Sequence, residues 1–256
     1  MLNEVKHGTA NSLMTEVSDH KSRLLAYFDG LGFERWSAIY GDAEVSRIRR
    51  TIRQGHARML ALAEQWICEG AGEAGTGAQP PAPGYAPQVL DAGCGTGLLS
   101  VALARRGLRV SAVDISPQMV GAAEQAVRAA GLCDRVDFRV GDIEGLDGRY
   151  DAVACLDVLV HYPAPGFAGI CRALAARTRG PMVFTYAPRE RLLAALHWLG
   201  GRFPSNHRRT EIQMIAPQQV ARTLAECGLQ VRRTARVSHG FYHVTLVEAA
   251  PRAGRQ

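Results

Sequence analysis

VLDAGCGTG, residues 89–97, is a short apolar run that breaks into three alternating glycines. The run reads as a strand, and the glycines as the turn into a helix, GLLSVALARRG. Gly93, Gly95 and Gly97 carry no Cβ, so backbone there can approach a ligand closely. The spacing is G-x-G-x-G, whereas a dinucleotide fingerprint is G-x-G-x-x-G. Pyrophosphate needs a free helix N-terminus. Asp91, just ahead of the glycines, suits a cationic ligand instead.

Downstream the pattern alternates. LRVSAVD is a strand and PQMVGAAEQAVRAAG a helix; RVDFRVGD and RYDAVACLD are strands; FAGICRALAARTRG is a helix and PMVFTYAP a strand. Such alternation implies parallel βαβ units with helices on both faces of the sheet. PQQVARTLAECG is a last helix. LQVRRTARV and FYHVTLVEA follow, joined through Ser238–His239–Gly240. That hairpin-like turn makes the final strand antiparallel. The expectation is a Rossmann-like α/β fold, with seven strands, mostly parallel. Asp114 ends the second strand, where an acid can bond both hydroxyls of a ribose. Asp142, in VGDIE at the end of the third, is placed to reach an adenine amino group, with Ile143 packing on the ring.

Upstream, residues 1–17 are polar and read as loose. Asp19 can cap a helix, HKSRLLAYF. A second helix repeats apolar groups at Val45, Ile48, Ile52, Met59, Leu62, Trp66 and Ile67. Residues 18–68 thus read as a helical arm or lid. Residues 69–87, rich in Gly, Ala and Pro, read as a linker. The main domain is 88–250, with an insert at 188–216.

The 256 residues are 47% apolar with a net charge of +6, and no basic run is dense enough to favour nucleic acid. The six cysteines form no C-x-x-C pair, which argues against zinc or disulfides and for a reducing, cytoplasmic setting. No acidic or histidine cluster suggests a protein-bound metal. No stretch approaches the ~18 apolar residues of a spanning helix, and the N-terminus does not read as a secretory signal.

VLDAGCGTG, AVDIS, VGDIE and YDAVACLDVLVHY resemble, in order and spacing, the class I S-adenosylmethionine-dependent methyltransferases. One G-x-G-x-G is ordinarily a tight turn; four ordered motifs are not. The resemblance implies that Asp91, Gly93, Gly95 and Gly97 hold the methionine part, Asp114 the ribose, and Asp142 and Ile143 the adenine. Ile115 and Leu156 complete the donor site.

Three further stretches bear on the acceptor. YFDGLGFERWSAIYGD, residues 27–42, carries Tyr27, Phe28, Phe33, Trp36 and Tyr40. CLDVLVHYP follows the fourth strand. In the insert, Leu192, Leu193, Leu196, Trp198, Leu199 and Phe203 are ringed by Arg189, Arg202, Arg208 and Arg209. Aromatics stack on planar rings, and arginines hold carboxylates. Such a face more often packs on its own core. However, YF-x-G-x-GFERW-x-x-IYGD, VSRIR-x-x-IR-x-GH, LDVLVHYP and FTYAPR resemble the magnesium-protoporphyrin O-methyltransferases of (bacterio)chlorophyll synthesis, over about residues 25–248.

That resemblance implies methyl transfer to a propionate of magnesium protoporphyrin IX. His161 and Tyr40 orient the acceptor; Tyr27, Phe33, Trp36, Arg189, Trp198 and Arg208 line its site. Arg53 and His56 are weaker candidates. The magnesium belongs to the substrate, and His161 or His197 could be its axial ligand. The porphyrin-binding subunit of magnesium chelatase is the implied source of substrate, and peripheral membrane association is compatible with the basic charge. Two alternatives stay open. One is methylation of another apolar acceptor such as a quinone-pathway phenol, with pKa ~10, for which His161 would be a base. The other is a porphyrin carrier without catalysis.

Overall fold

In a computed structural model, residues 19–30, 32–34, 36, 46–76, 84–189 and 212–252 are described. The chain begins with α1 (19–28) and α2 (Arg47–Thr76). The alternating part follows: β1 (Gln88–Ala92), α3 (Leu98–Arg105), β2 (Arg109–Asp114), α4 (Pro117–Ala129), β3 (Val136–Val140), β4 (Ala152–Cys155), α5 (Ala164–Ala175) and β5 (Met182–Pro188). It closes with β6 (Met214–Ile215), α6 (Pro217–Glu226), β7 (Leu229–His239) and β8 (Tyr242–Pro251).

The sheet runs β3-β2-β1-β4-β5-β8-β7, with β1 to β5 parallel and β8 antiparallel to both neighbours. The reversal at β1/β4 places the ligand crevice at the carboxyl ends of these strands. Two residues, Met214 and Ile215, add a short parallel β6 to β5, a strand too brief to show as a sequence pattern.

Alternation along the strands sends side chains into two cores. Val89, Val110 and Leu246 meet α2, α3 and α4 through Met59, Ile67, Leu103 and Val127. Leu90, Val153 and Phe184 meet α5 and α6 through Phe167, Ile170 and Leu224. Leu24 of α1 joins this second core.

The helical arm read at 18–68 is not one unit. Met59, Ala63 and Ile67 of α2 are fully buried against the sheet, so this helix is a layer of the main domain. The linker read from residue 69 also begins later, because α2 continues to Thr76. Packing overrides the glycine content. A Cβ on Gly70 would lie 2.6 Å from Pro181 Cγ, and Ala71 is fully buried. Glu69 accepts from Gln65 Nε2 at 2.8 Å and pairs with Arg233 at 2.8 Å.

Candidate active site

The glycine loop is pinned to β2: the N–H groups of Gly93 and Cys94 both donate to the Val113 carbonyl, at 2.7 and 3.0 Å. Gly93 has φ +79°, and a Cβ there would lie 2.1 Å from Val158 Cγ2. Only glycine fits. Gly95 N–H donates to Asp114 Oδ2 at 2.9 Å, and Ser116 N–H donates to Oδ1 at 2.9 Å. These two bonds aim the Asp114 carboxylate, and each oxygen keeps a further lone pair for a ligand hydroxyl. Ser116 caps α4 by accepting from Met119 N–H at 3.2 Å. Asp142 caps the turn Ile143–Gly145 by accepting from Glu144 N–H.

Burial raises the Asp91 carboxyl to about 6, although Ser100 Oγ donates to it at 2.6 Å. The nearby Asp114 charge pushes the same way. Asp91 is therefore ionised above about pH 6, and a cation beside it favours that form further. Burial also pushes Asp114 up, against its backbone bonds.

Asp91, Gly93, Gly95, Asp114, Ile115, Asp142, Ile143 and Leu156 line one pocket with Trp36, His56, Asp157 and His161. Gly97 lies outside its wall. Its φ of +81° and the 2.8 Å from a built Cβ to Ala123 make it the close approach between α3 and α4. His161 is buried in the turn Leu159–His161, and burial holds its imidazole down to about 4. It is neutral at physiological pH. Its Nδ1 is buried and has no hydrogen-bond partner among the described residues.

α1 roofs this pocket. Lys21 pairs with Asp142 at 2.6 Å and with Glu144. Asp29 Oδ1 accepts from Ser116 Oγ at 3.0 Å and from Gln118 N–H at 3.2 Å. His20 Nε2 donates to the His161 carbonyl at 2.8 Å, and the Phe28 ring meets the His161 ring edge-on at 5.3 Å. These contacts were not legible in sequence, because partners about 90 to 140 residues apart leave no local pattern. Asp157 was missed too, although it lies within the quoted CLDVLVHY.

Tyr27 and Phe33 are half-buried and lie outside the pocket wall; Tyr27 packs edge-on against Phe28 at 5.1 Å. Arg189 is exposed, and its N–H donates to the Ile215 carbonyl. Tyr40, Trp198, Arg208 and His197 lie outside the described residues. The donor-side residues fit a nucleoside carrying a cationic sulfur: a glycine cradle, a buried acid and an aimed carboxylate. Among the described residues no group of His, Cys, Asp or Glu is placed to hold a metal ion.

Residues 155–251 match the family model for the magnesium-protoporphyrin IX methyltransferase C-terminus, and residues 89–179 match a methyltransferase domain. Magnesium protoporphyrin IX methyltransferase of Arabidopsis thaliana is 37% identical over 227 residues, 88% of this chain and 69% of that protein. Magnesium-protoporphyrin O-methyltransferase of Rhodobacter capsulatus is 33% identical over 239 residues, 93% of this chain and 99% of that one. The crystal structure of the Synechocystis enzyme with bound S-adenosylhomocysteine superposes with a TM-score of 0.79 at 32% identity, covering 91% of this chain and all of that one.

Proposed function

We propose, from the premise that this chain belongs to the magnesium-protoporphyrin O-methyltransferase family, that it methylates a propionate carboxylate of magnesium protoporphyrin IX and yields the monomethyl ester. The observation that carries the reading is where the specific match falls. The donor motifs are common to many methyltransferases, but residues 155–251, which include His161, match this family's own C-terminal model.

S-adenosylmethionine supplies an electrophilic methyl on a sulfonium and takes the electron pair back as a neutral thioether. Asp114 and Asp142 fix the nucleoside, and Asp91 faces the cationic end. A propionate has a pKa near that of Glu, ~4.3, so it reaches the site already ionised. His161 is therefore not needed as a base, and its depressed pKa suits a neutral imidazole. Its unpartnered Nδ1 can orient the acceptor. Tyr40 shares this orienting role. α1 excludes water from the nucleophile, where alignment within ~3–3.5 Å gives the rate. A phenol acceptor would call for a base near neutrality, which His161 at about 4 does not provide.

Supply by the porphyrin-binding subunit of magnesium chelatase and a peripheral membrane position belong to the same proposal. No described helix is long and apolar enough to cross a membrane. Phe241 and Ile48 are 68% and 51% exposed, and Arg47, Arg49 and Arg50, which adjoin Ile48 in the chain, are exposed too, which supports contact with an anionic apolar surface. The test of the reaction is incubation with magnesium protoporphyrin and methyl-labelled donor. Labelled monomethyl ester on chromatography is the expected result; no labelled ester with that acceptor overturns the reading.

A further inference from the structure

The described residues lining the pocket include no Lys or Arg. The acceptor nevertheless brings two carboxylates, since its product is a monomethyl ester. Asp157 already places a carboxylate on the pocket wall. In a dry site two like charges repel strongly, so a positive charge gained by the described wall would stabilise the bound acceptor. Only His56 and His161, among the described lining residues, can gain a proton and a positive charge there.

Asp157 is held firmly. It is the one non-glycine residue with positive φ, +56°, among those described. Its N–H donates to Thr185 Oγ1 at 2.6 Å, Thr185 Oγ1 donates to its Oδ1 at 3.1 Å, and the Tyr242 hydroxyl bridges both oxygens at 3.0 and 2.8 Å. β5 and β8 thus fix a strained aspartate, a pattern that clusters at functional sites. Facing it, His56 of α2 is buried, with Nε2 3.7 Å from Asp157 Oδ2. That is an ion-pair separation longer than a hydrogen bond.

We propose that His56 holds the acceptor carboxylate that is not methylated, and that it takes one proton from solvent as that carboxylate arrives. The proposal rests on the carboxylate-acceptor reading and adds which arm is held, and by what. The imidazolium then lies between two anions, Asp157 and the idle propionate. The reacting arm does not suit a cation, because an imidazolium on the attacking oxygen would withhold the electron pair that forms the new O–C bond. Neutral His161 suits that arm.

Among the described residues, the charged and titratable groups around His56 include Asp157 after β4, Tyr242 of β8, whose ring meets it at 6.0 Å, and Arg53 three residues earlier on α2. His161 also feels Asp157, with His20 beyond it. Burial lowers the His56 pKa and the Asp157 charge opposes that, so the free site is neutral at His56 near pH 7.5 and protonates when a second anion arrives.

The experiment is calorimetric titration of magnesium protoporphyrin into the full chain loaded with S-adenosylhomocysteine, in two buffers of different ionisation heat. About one proton should be taken up per acceptor at pH 7.5. The apparent Kd should rise by up to about tenfold per pH unit from 7 to 8.5. His56→Gln should abolish the uptake and weaken the acceptor about tenfold at pH 7, with S-adenosylhomocysteine affinity within twofold. In the wild type the monomethyl ester, which keeps its idle arm, should retain the uptake, and the dimethyl ester should lose it. This ester comparison stands whether or not the variant folds. Uptake that persists in His56→Gln or with the dimethyl ester overturns the proposal alone. Wild-type protein that binds S-adenosylhomocysteine but not magnesium protoporphyrin overturns the acceptor reading, and this proposal with it.

Discussion

The proposed donor wall and the proposed acceptor wall of the pocket are built from different material. The donor wall is largely backbone: a glycine loop tied to β2, and two carboxylates aimed by the N–H groups beside them. Its parts lie at the ends of neighbouring parallel strands, within about fifty residues. The acceptor wall is assembled from side chains sent by α1, α2 and the segment after β4, more than a hundred residues apart. Backbone walls fix a ligand common to many reactions, whereas side-chain walls can be exchanged to choose the partner.

If that division is real, the largest effect should come from the donor loop. Gly93→Ala places a methyl 2.1 Å from Val158 Cγ2 at a φ that alanine rarely adopts. S-adenosylhomocysteine affinity should fall at least about a hundredfold, with a lowered melting temperature. Binding within threefold of wild type would show that the loop is pliable and the contrast false.

His161→Ala probes the other wall. Turnover should fall about a hundredfold, as expected for a lost orienting contact, with S-adenosylhomocysteine affinity within twofold. Parallel loss of both would place His161 in the donor wall. At saturating acceptor, kcat of the wild type should be flat from pH 6.5 to 8.5, because neither His161 nor the propionate titrates there. A limb near 7 would restore the base.

The same division explains what could be read from the sequence. Asp91, Asp114 and Asp142 were legible because each sits at a strand end beside its own turn, so residue type and spacing carry the geometry. Asp157 was not, because nothing in CLDVLVHY announces a positive φ held by Thr185 and Tyr242. His56 was legible only as a weaker acceptor-site candidate that could equally be a helix-surface group, because its partner lies about a hundred residues away. The glycine-rich start of the supposed linker misled for a related reason. Composition favoured a coil, but Pro181 and Arg233, both distant in sequence, packed those residues into α2.

Asp91 gives a smaller, pH-dependent handle on the donor wall. Its folded pKa, about 6, lies above its unfolded value, so the native state binds the extra proton between them. Unliganded stability should therefore decline by about 3 kcal/mol as pH rises from 3.8 towards 6. The cationic donor reverses this by favouring the ionised form. S-adenosylmethionine affinity should climb as pH rises towards 6, by up to about tenfold per unit, and level off above it. Asp91→Asn should melt higher and bind the donor worse. An Asn variant that melts lower and binds normally would place the cationic end elsewhere.

The smallest effect should arise where the walls meet. α1 touches both: Lys21 reaches Asp142 and Glu144 on the donor side, while His20 and Phe28 reach His161. Asp142 and Glu144 are partly exposed, so the pair is worth little and salt screens it. Lys21→Gln should weaken S-adenosylhomocysteine about threefold at low salt, and the difference should vanish near 0.5 M salt. The donor depends on this pair because α1 covers the adenine side, so loosening it shortens donor residence without touching the oxygen that attacks. Should Lys21→Gln instead raise the acceptor KM and spare the donor, α1 is an acceptor element whose hold on Asp142 is incidental. The boundary between the walls would then run between α1 and the turn at Ile143–Gly145.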